Sequence, residues 1–119
     1  MAPLEEPERL SAYKDALSNW RFAGFIEFEL TEMAFLWVRN ELGIPLKDLS
    51  RLMFEFVDRG GVIDEIREKR SEWQDEFEYH YDLRFSIENK QVYVETRLIY
   101  RPPFKPDQSV ILVVNIHDP

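Results

Sequence analysis

The sequence predicts an α+β domain, with N-terminal helices packed on a C-terminal antiparallel β-meander. Apolar residues recur at helical spacing before residue 60, and apolar and polar residues alternate after residue 78. The length of 119 residues suits one hydrophobic core, and no repeat, low-complexity tract or composition break divides residues 1–119.

Pro3 and Pro7 precede the first periodic segment, where Leu10, Tyr13, Leu17 and Trp20 mark one face of an amphipathic helix over 7–20. Gly24 breaks that pattern. Ile26, Phe28 and Leu30 then alternate with Glu27 and Glu29, which favours a short strand. Ile26, Leu30, Met33 and Trp37 also fit a helical period. Thr31 suits the N-cap of a helix over 32–42 with Ala34, Phe35, Val38 and Leu42 inward, and Gly43 suits its end. Pro45 suits the first turn of a helix over 46–58, with Leu46, Leu49, Leu52, Met53, Phe56 and Val57 inward, ended by Gly60-Gly61. Residues 62–72 read as a short helix or an ordered loop whose charges form a solvated face.

The period then changes to two. Tyr79, Tyr81, Leu83, Phe85 and Ile87 alternate with His80, Asp82, Arg84 and Ser86. Val92, Val94, Thr96, Leu98 and Tyr100 alternate with Tyr93, Glu95, Arg97 and Ile99. A two-residue loop at Asn89-Lys90 sets Arg84 against Glu95, Asp82 against Arg97, Phe85 against Val94 and Ile87 against Val92. Residues 101–108 contain three prolines and read as a loop. In the last strand, from Val110 to His117, Val110, Leu112, Val114 and Ile116 share one face, and Ile111, Val113, Asn115 and His117 the other.

Composition narrows the function. The chain has no cysteine, which excludes disulfides, thiolate zinc sites and cysteine nucleophiles. With His80 and His117 the only histidines, a multi-histidine metal site is excluded, and neither metal nor cofactor is expected. No apolar run approaches the roughly 20 residues that span a bilayer. Met1 to Glu8 is acidic without an apolar stretch, so no signal peptide is read and a cytoplasmic protein without membrane contact is expected. The net charge is −8, and residues 61–82 hold eight acidic against three basic side chains. Residues 83–119 hold five basic against four acidic, so a phosphate-binding site belongs there.

If the last two strands are neighbours, the outer sheet face gathers Tyr93, Glu95, Arg97, Arg84, Asn115 and His117. Metal-free RNA cleavage uses such groups. A base takes the 2′-hydroxyl proton, a cation stabilises the charge gathering on phosphate, and an acid protonates the leaving oxygen. Imidazole suits either proton role, and guanidinium holds phosphate in a fork. His80, in an acidic and aromatic stretch, is expected outside the chemistry.

Trp73-Gln74-Asp75, Gln91-Val92-Tyr93 and a terminal strand ending Val113-Val114-Asn115-Ile116-His117-Asp118, with Arg9-Leu10-Ser11 and Glu41-Leu42-Gly43 upstream, occur in an order that resembles the MqsR family of toxins, within the RelE-like superfamily of small endoribonucleases. The resemblance implies a RelE-like fold and a toxin that cleaves mRNA and is silenced by a cognate antitoxin protein. It assigns catalytic roles to Gln74, Tyr93 and His117, and Arg97 or Arg84 on the expected sheet face would hold the phosphate. The family's lysine after the third helix has no direct counterpart: Val62, Ile63 and Asp64 occupy that stretch, with Arg59, Arg67, Lys69 and Arg70 as nearby cations. The acidic balance supports a second reading from another class, a non-enzymatic interaction module that binds a basic protein partner.

Overall fold

The computed structural model describes residues 2–99 and 109–118. Tyr100 and the loop expected over 101–108 lie outside the described residues. The elements are β1 (Ala2–Pro3), α1 (Pro7–Ser18), β2 (Ile26–Phe28), α2 (Glu32–Trp37), α3 (Leu46–Asp58), β3 (Asp64–Arg67), α4 (Ser71–Gln74), β4 (Tyr79–Ile87), β5 (Lys90–Ile99) and β6 (Val110–His117). The class is α+β. Among the described residues the sheet has six strands in the order β1-β3-β4-β5-β6-β2, antiparallel except for β2 on β6. The short strands β1, β2 and β3 come before the meander, so helices and strands are less segregated than the periodicity suggests.

The helix ends follow from local chemistry. The Glu6 carboxylate caps α1, accepting from the amides of Glu8 at 3.2 Å and Arg9 at 2.8 Å, and Pro7 opens the first turn. Thr31 Oγ1 caps α2 through the Ala34 amide at 3.1 Å. The helix then widens into a π turn, Val38–Leu42, closed where the Gly43 amide donates to the Val38 carbonyl at 2.9 Å with glycine at φ 63°. After α3 the chain turns at Gly60-Gly61, and a Cβ on Gly61 would lie 2.5 Å from the Phe56 ring and carbonyl oxygen.

One sheet face carries the core. Tyr13 and Leu17 of α1, and Leu49, Met53 and Val57 of α3, pack on Tyr81, Leu83, Phe85, Val92, Val94, Ile111, Val113 and Ile116. The Phe56 and Phe85 rings stack at 5.2 Å. Thr96 Oγ1 donates to the Tyr81 carbonyl at 2.6 Å, so the fully buried Tyr13 hydroxyl donates to Thr96 at 2.9 Å. Phe35, expected inward, is 47% exposed, because α2 buries Ala34 and the π turn buries Val38.

Three further expectations are corrected. Residues 64–67 are a strand, β3, where a helix or loop was expected; Asp64, Glu65, Ile66 and Arg67 pair with Asp82, Tyr81, His80 and Tyr79. Its charges are not a plain solvated face: Arg9 of α1 reaches Glu65 at 3.2 Å.

The β4–β5 register is also shifted. Ile87 pairs with Lys90, so the loop is Glu88-Asn89, both at positive φ (48° and 71°). A two-residue turn of this hand needs left-handed backbone at both central positions, and asparagine tolerates that better than Lys90 would. Relative to the Asn89-Lys90 loop the pairing moves by two residues, which keeps every side chain on its face. Leu83 now faces Val94, Phe85 faces Val92, Arg84 faces Tyr93 and Asp82 faces Glu95. The expected pairs Arg84 with Glu95 and Asp82 with Arg97 do not form across the strands.

The third correction is in β6. Glu95 pairs with Asn115 but Thr96 pairs with Val113, so Val114 is a bulge. Ile111 and Val113 therefore join Ile116 in the core, and the alternation of one regular strand does not hold.

The turn yields a stability test. Glu88 is a poor residue for a left-handed position, so Glu88→Asn is expected to stabilise the domain by about 0.5 kcal/mol or more. An unchanged or lowered urea midpoint would contradict this turn.

Candidate active site

The outer sheet face, opposite the helices, carries two adjacent rows of side chains. The first crosses three strands: Arg84 on β4 faces Tyr93 on β5, which faces His117 on β6. The Arg84 guanidinium lies over the Tyr93 ring, 5.2 Å from its centroid. The Tyr93 and His117 rings stack at 4.7 Å with 26° between planes. Guanidinium, phenol and imidazole thus form one ladder, and the Arg84 side chain is 48% exposed. The Val114 bulge makes this geometry, because it returns Asn115 and His117 to the outer face after Val113 has pointed inward.

The second row is acidic. Asp64 faces Asp82, which faces Glu95, which faces Asn115. Like charges directly opposite one another are destabilising, so each carboxylate needs its own partner. Asp64 lies 3.9 Å from the Arg84 guanidinium. Burial raises the Asp64 carboxyl's pKa, the Asp82 charge adds to that, and Arg84 opposes both. Asp82, fully enclosed, accepts from His80 Nδ1 at 2.8 Å on one oxygen and from the Tyr93 hydroxyl on the other. Glu95 is held by Arg97 at 2.9 Å and by Arg70.

These contacts set protonation states. The His117 Nδ1 lies 2.6 Å from the Asp118 carbonyl oxygen, which can only accept, so Nδ1 carries a proton and neutral His117 presents a bare Nε2. Tyr93 donates to Asp82. Burial, then this hydrogen bond and the charges of Asp82 and Glu95, push its phenol well above the ordinary tyrosine range, against the pull of Arg84. Tyr93 is therefore held neutral, with its proton directed away from the open face.

The expected site residues fall into two groups. Tyr93, His117 and Arg84 come together. Arg97 does not join them: it is fully buried, paired with Glu68 at 2.6 Å and Glu95 at 2.9 Å, and covered by the Trp73 ring at 5.0 Å. The segment from Glu68 through α4 folds over this end of the outer face. It is held by the Glu68 amide on the Glu78 carbonyl at 2.9 Å and by Arg70 against Glu68 and Glu95. Arg97 is thus committed to an internal ion cluster. Gln74, the last residue of α4, is exposed in a shallow depression with Arg67, Glu68, Phe77 and Glu78. That depression adjoins the start of β4, whereas Tyr93 pairs with Arg84, about 17 Å along the strand. Of the other cations between residues 59 and 70, Arg67 pairs with Glu78 at 2.7 Å and Arg70 belongs to the ion cluster.

Sequence reasoning left out His80 and Asp82, which the structure ties to Tyr93. Their signal was present: two polar, titratable residues at i and i+2 share the outer face with Arg84. Among the described residues no three carboxylate, imidazole or thiolate groups are placed to hold a metal ion. No helix of the described residues is long and apolar enough to cross a membrane. No protein-family model, curated protein or solved structure matches the chain.

Two outcomes follow from these buried groups. Arg97→Ala leaves the enclosed carboxylates of Glu68 and Glu95 to share Arg70 alone and is expected to cost about 3 kcal/mol, read from urea unfolding. Loss under 1 kcal/mol would mean the cluster is solvated. Tyr13, Tyr81 and Tyr93 all have phenols raised, chiefly by burial. An unfolded tyrosine ionises near pH 10, so above that pH the folded chain holds more protons than the unfolded one. Stability is expected to be intact below pH 10 and to fall as pH rises beyond it, with absorbance at 295 nm tracking unfolding. Phenolate formation in the native protein near pH 10 for all tyrosines would contradict this.

Proposed function

We propose that this chain is a metal-independent endoribonuclease of the RelE and MqsR type, a cytoplasmic toxin that cleaves mRNA and is silenced by a cognate antitoxin protein. The observation that carries this reading is the ladder of Arg84, Tyr93 and His117 on an open sheet face. In it, His117 Nε2 takes the ribose 2′-hydroxyl proton. The freed 2′ oxygen bonds to phosphorus, the bond to the 5′ oxygen breaks, and that oxygen leaves with a proton from solvent or from the imidazolium. Arg84 neutralises the charge gathering on the non-bridging oxygens. Tyr93, its proton held by Asp82, serves as a ring that orients the imidazole and guanidinium rather than as the acid. Gln74 and Arg97 have no part in this version of the chemistry. DNA lacks the attacking hydroxyl, so the activity is specific for RNA.

A second reading has its own support. The acidic row beside the ladder, and the net charge of −8, suit an interaction module that binds a basic protein.

The deciding experiment is cleavage of a single-stranded oligoribonucleotide with chelator present, joined to growth after induced expression. Wild type is expected to cleave and to arrest growth. His117→Ala and Arg84→Ala are each expected to lose about 10²–10⁴ in rate while staying folded. Cleavage unchanged in both variants would reject the site. No cleavage at any protein concentration, with a salt-sensitive complex to a basic protein, would favour the interaction module.

A further inference from the structure

The least expected feature of the outer face is Asp82. It is fully enclosed, and its cross-strand neighbours on both sides, Asp64 and Glu95, are also acids. A sheet face without a task gains stability from opposite charges or neutral residues in such a row. Here a buried carboxylate is kept and each of its oxygens receives one directed donor, His80 Nδ1 at 2.8 Å and the Tyr93 hydroxyl. A carboxylate only accepts, so both donors must carry their protons toward it.

The consequence passes to the ladder. The Tyr93 ring is the middle rung, with Arg84 on one side and His117 on the other. A tyrosine ring held only by stacking can swing about its side-chain bonds; one whose hydroxyl is tied to a buried acceptor cannot. His80, whose side chain is only 12% exposed, braces the same carboxylate from β4.

We propose that Asp82 is a positioning residue, which with His80 behind it locks the Tyr93 ring and so sets the plane of His117 and the place of Arg84. Its role in turnover rests on the ribonuclease reading above; its hold on the rings is a property of the free chain and is measured without RNA. Asp82→Leu, close to aspartate in shape, offers no acceptor to either donor, and Asp82→Ala likewise keeps neither hydrogen bond.

The test reads His117 ring-proton chemical shifts by NMR in wild type, Asp82→Ala, Asp82→Leu and Tyr93→Leu, the last defining the shift without an aromatic neighbour. Circular dichroism first confirms folding. Asp82→Leu, close to aspartate in shape, carries the test if the alanine variant does not fold. The expected result is a His117 shift displaced from wild type toward the Tyr93→Leu value. In parallel, RNA cleavage is expected to fall about 10²-fold in Asp82→Leu, the scale of a small misplacement. Adding Tyr93→Phe to Asp82→Leu is expected to cost less than Tyr93→Phe alone, because both act through one hydroxyl. A folded Asp82 variant with the wild-type His117 shift overturns the proposal, as do losses from Asp82→Leu and Tyr93→Phe that multiply independently. Wild-type protein without cleavage rejects the ribonuclease reading, and the ring shift alone then decides the role of Asp82.

Discussion

The hairpin turn at Glu88-Asn89 is the constraint on which the rest of the outer face depends. Both residues take left-handed backbone, and that closes β4 on β5 with Ile87 opposite Lys90. From there the register runs without a break to Tyr81 opposite Thr96. The β4–β5 relations of the candidate site follow, Arg84 beside Tyr93 and Asp82 beside Glu95, and β6 adds His117 beside Tyr93 through its own bulged register. A turn one residue later would set Arg84 against Glu95, and its guanidinium would meet a carboxylate instead of a ring.

The electrostatics resolve into two territories on one face. At the end covered by α4, two arginines and two glutamates neutralise each other beneath Trp73. Such a cluster is weak evidence for net stability but fixes where the covering segment must lie. Toward the hairpin and the end of β6 the ladder stays open, and Arg84 keeps much of its surface in water. The overall negative charge is therefore a poor guide to this one place, since the guanidinium that faces solvent and the one that does not are sorted by the chain's path rather than by its composition.

Much of the fold was legible because it rests on period. The α1 and α3 stripes, both long strands and the inward faces of β4 and β5 follow from spacing alone, and those faces survive the register error because a shift of two preserves them. Turn placement was not legible from cross-strand pairing: the apparent charge complementarity of Arg84 with Glu95 and Asp82 with Arg97 pointed to the wrong loop. Those charges found partners elsewhere, Arg97 along its own strand and under α4, Asp82 in His80 and Tyr93. The strand β3 was hidden by its charges, since Asp64, Glu65 and Arg67 look solvated until Arg9 and Arg84 are seen beside them. Of the candidate site, alternation placed Arg84 and Tyr93 on the outer face, but His117 reaches it through the Val114 bulge, since regular alternation would join the imidazole to Ile111 and Val113 in the core. The withdrawal of Arg97 was not legible, because it depends on a segment 29 residues upstream, at Glu68, folding over it.

The extra residue in β6 carries a consequence of its own. Were the strand regular beyond Val113, the terminal imidazole would project among the helices and Ile116 would stand in water. Taking up Val114 as a bulge, outside the alternation, thus decides which side of the sheet the tail equips. Losing the single codon for Val114 would leave a regular strand with Asn115, Ile116 and His117 still opposite Glu95, Val94 and Tyr93, whereas straightening the bulge with Val114 in place would exchange oil for chemistry at the end of the chain.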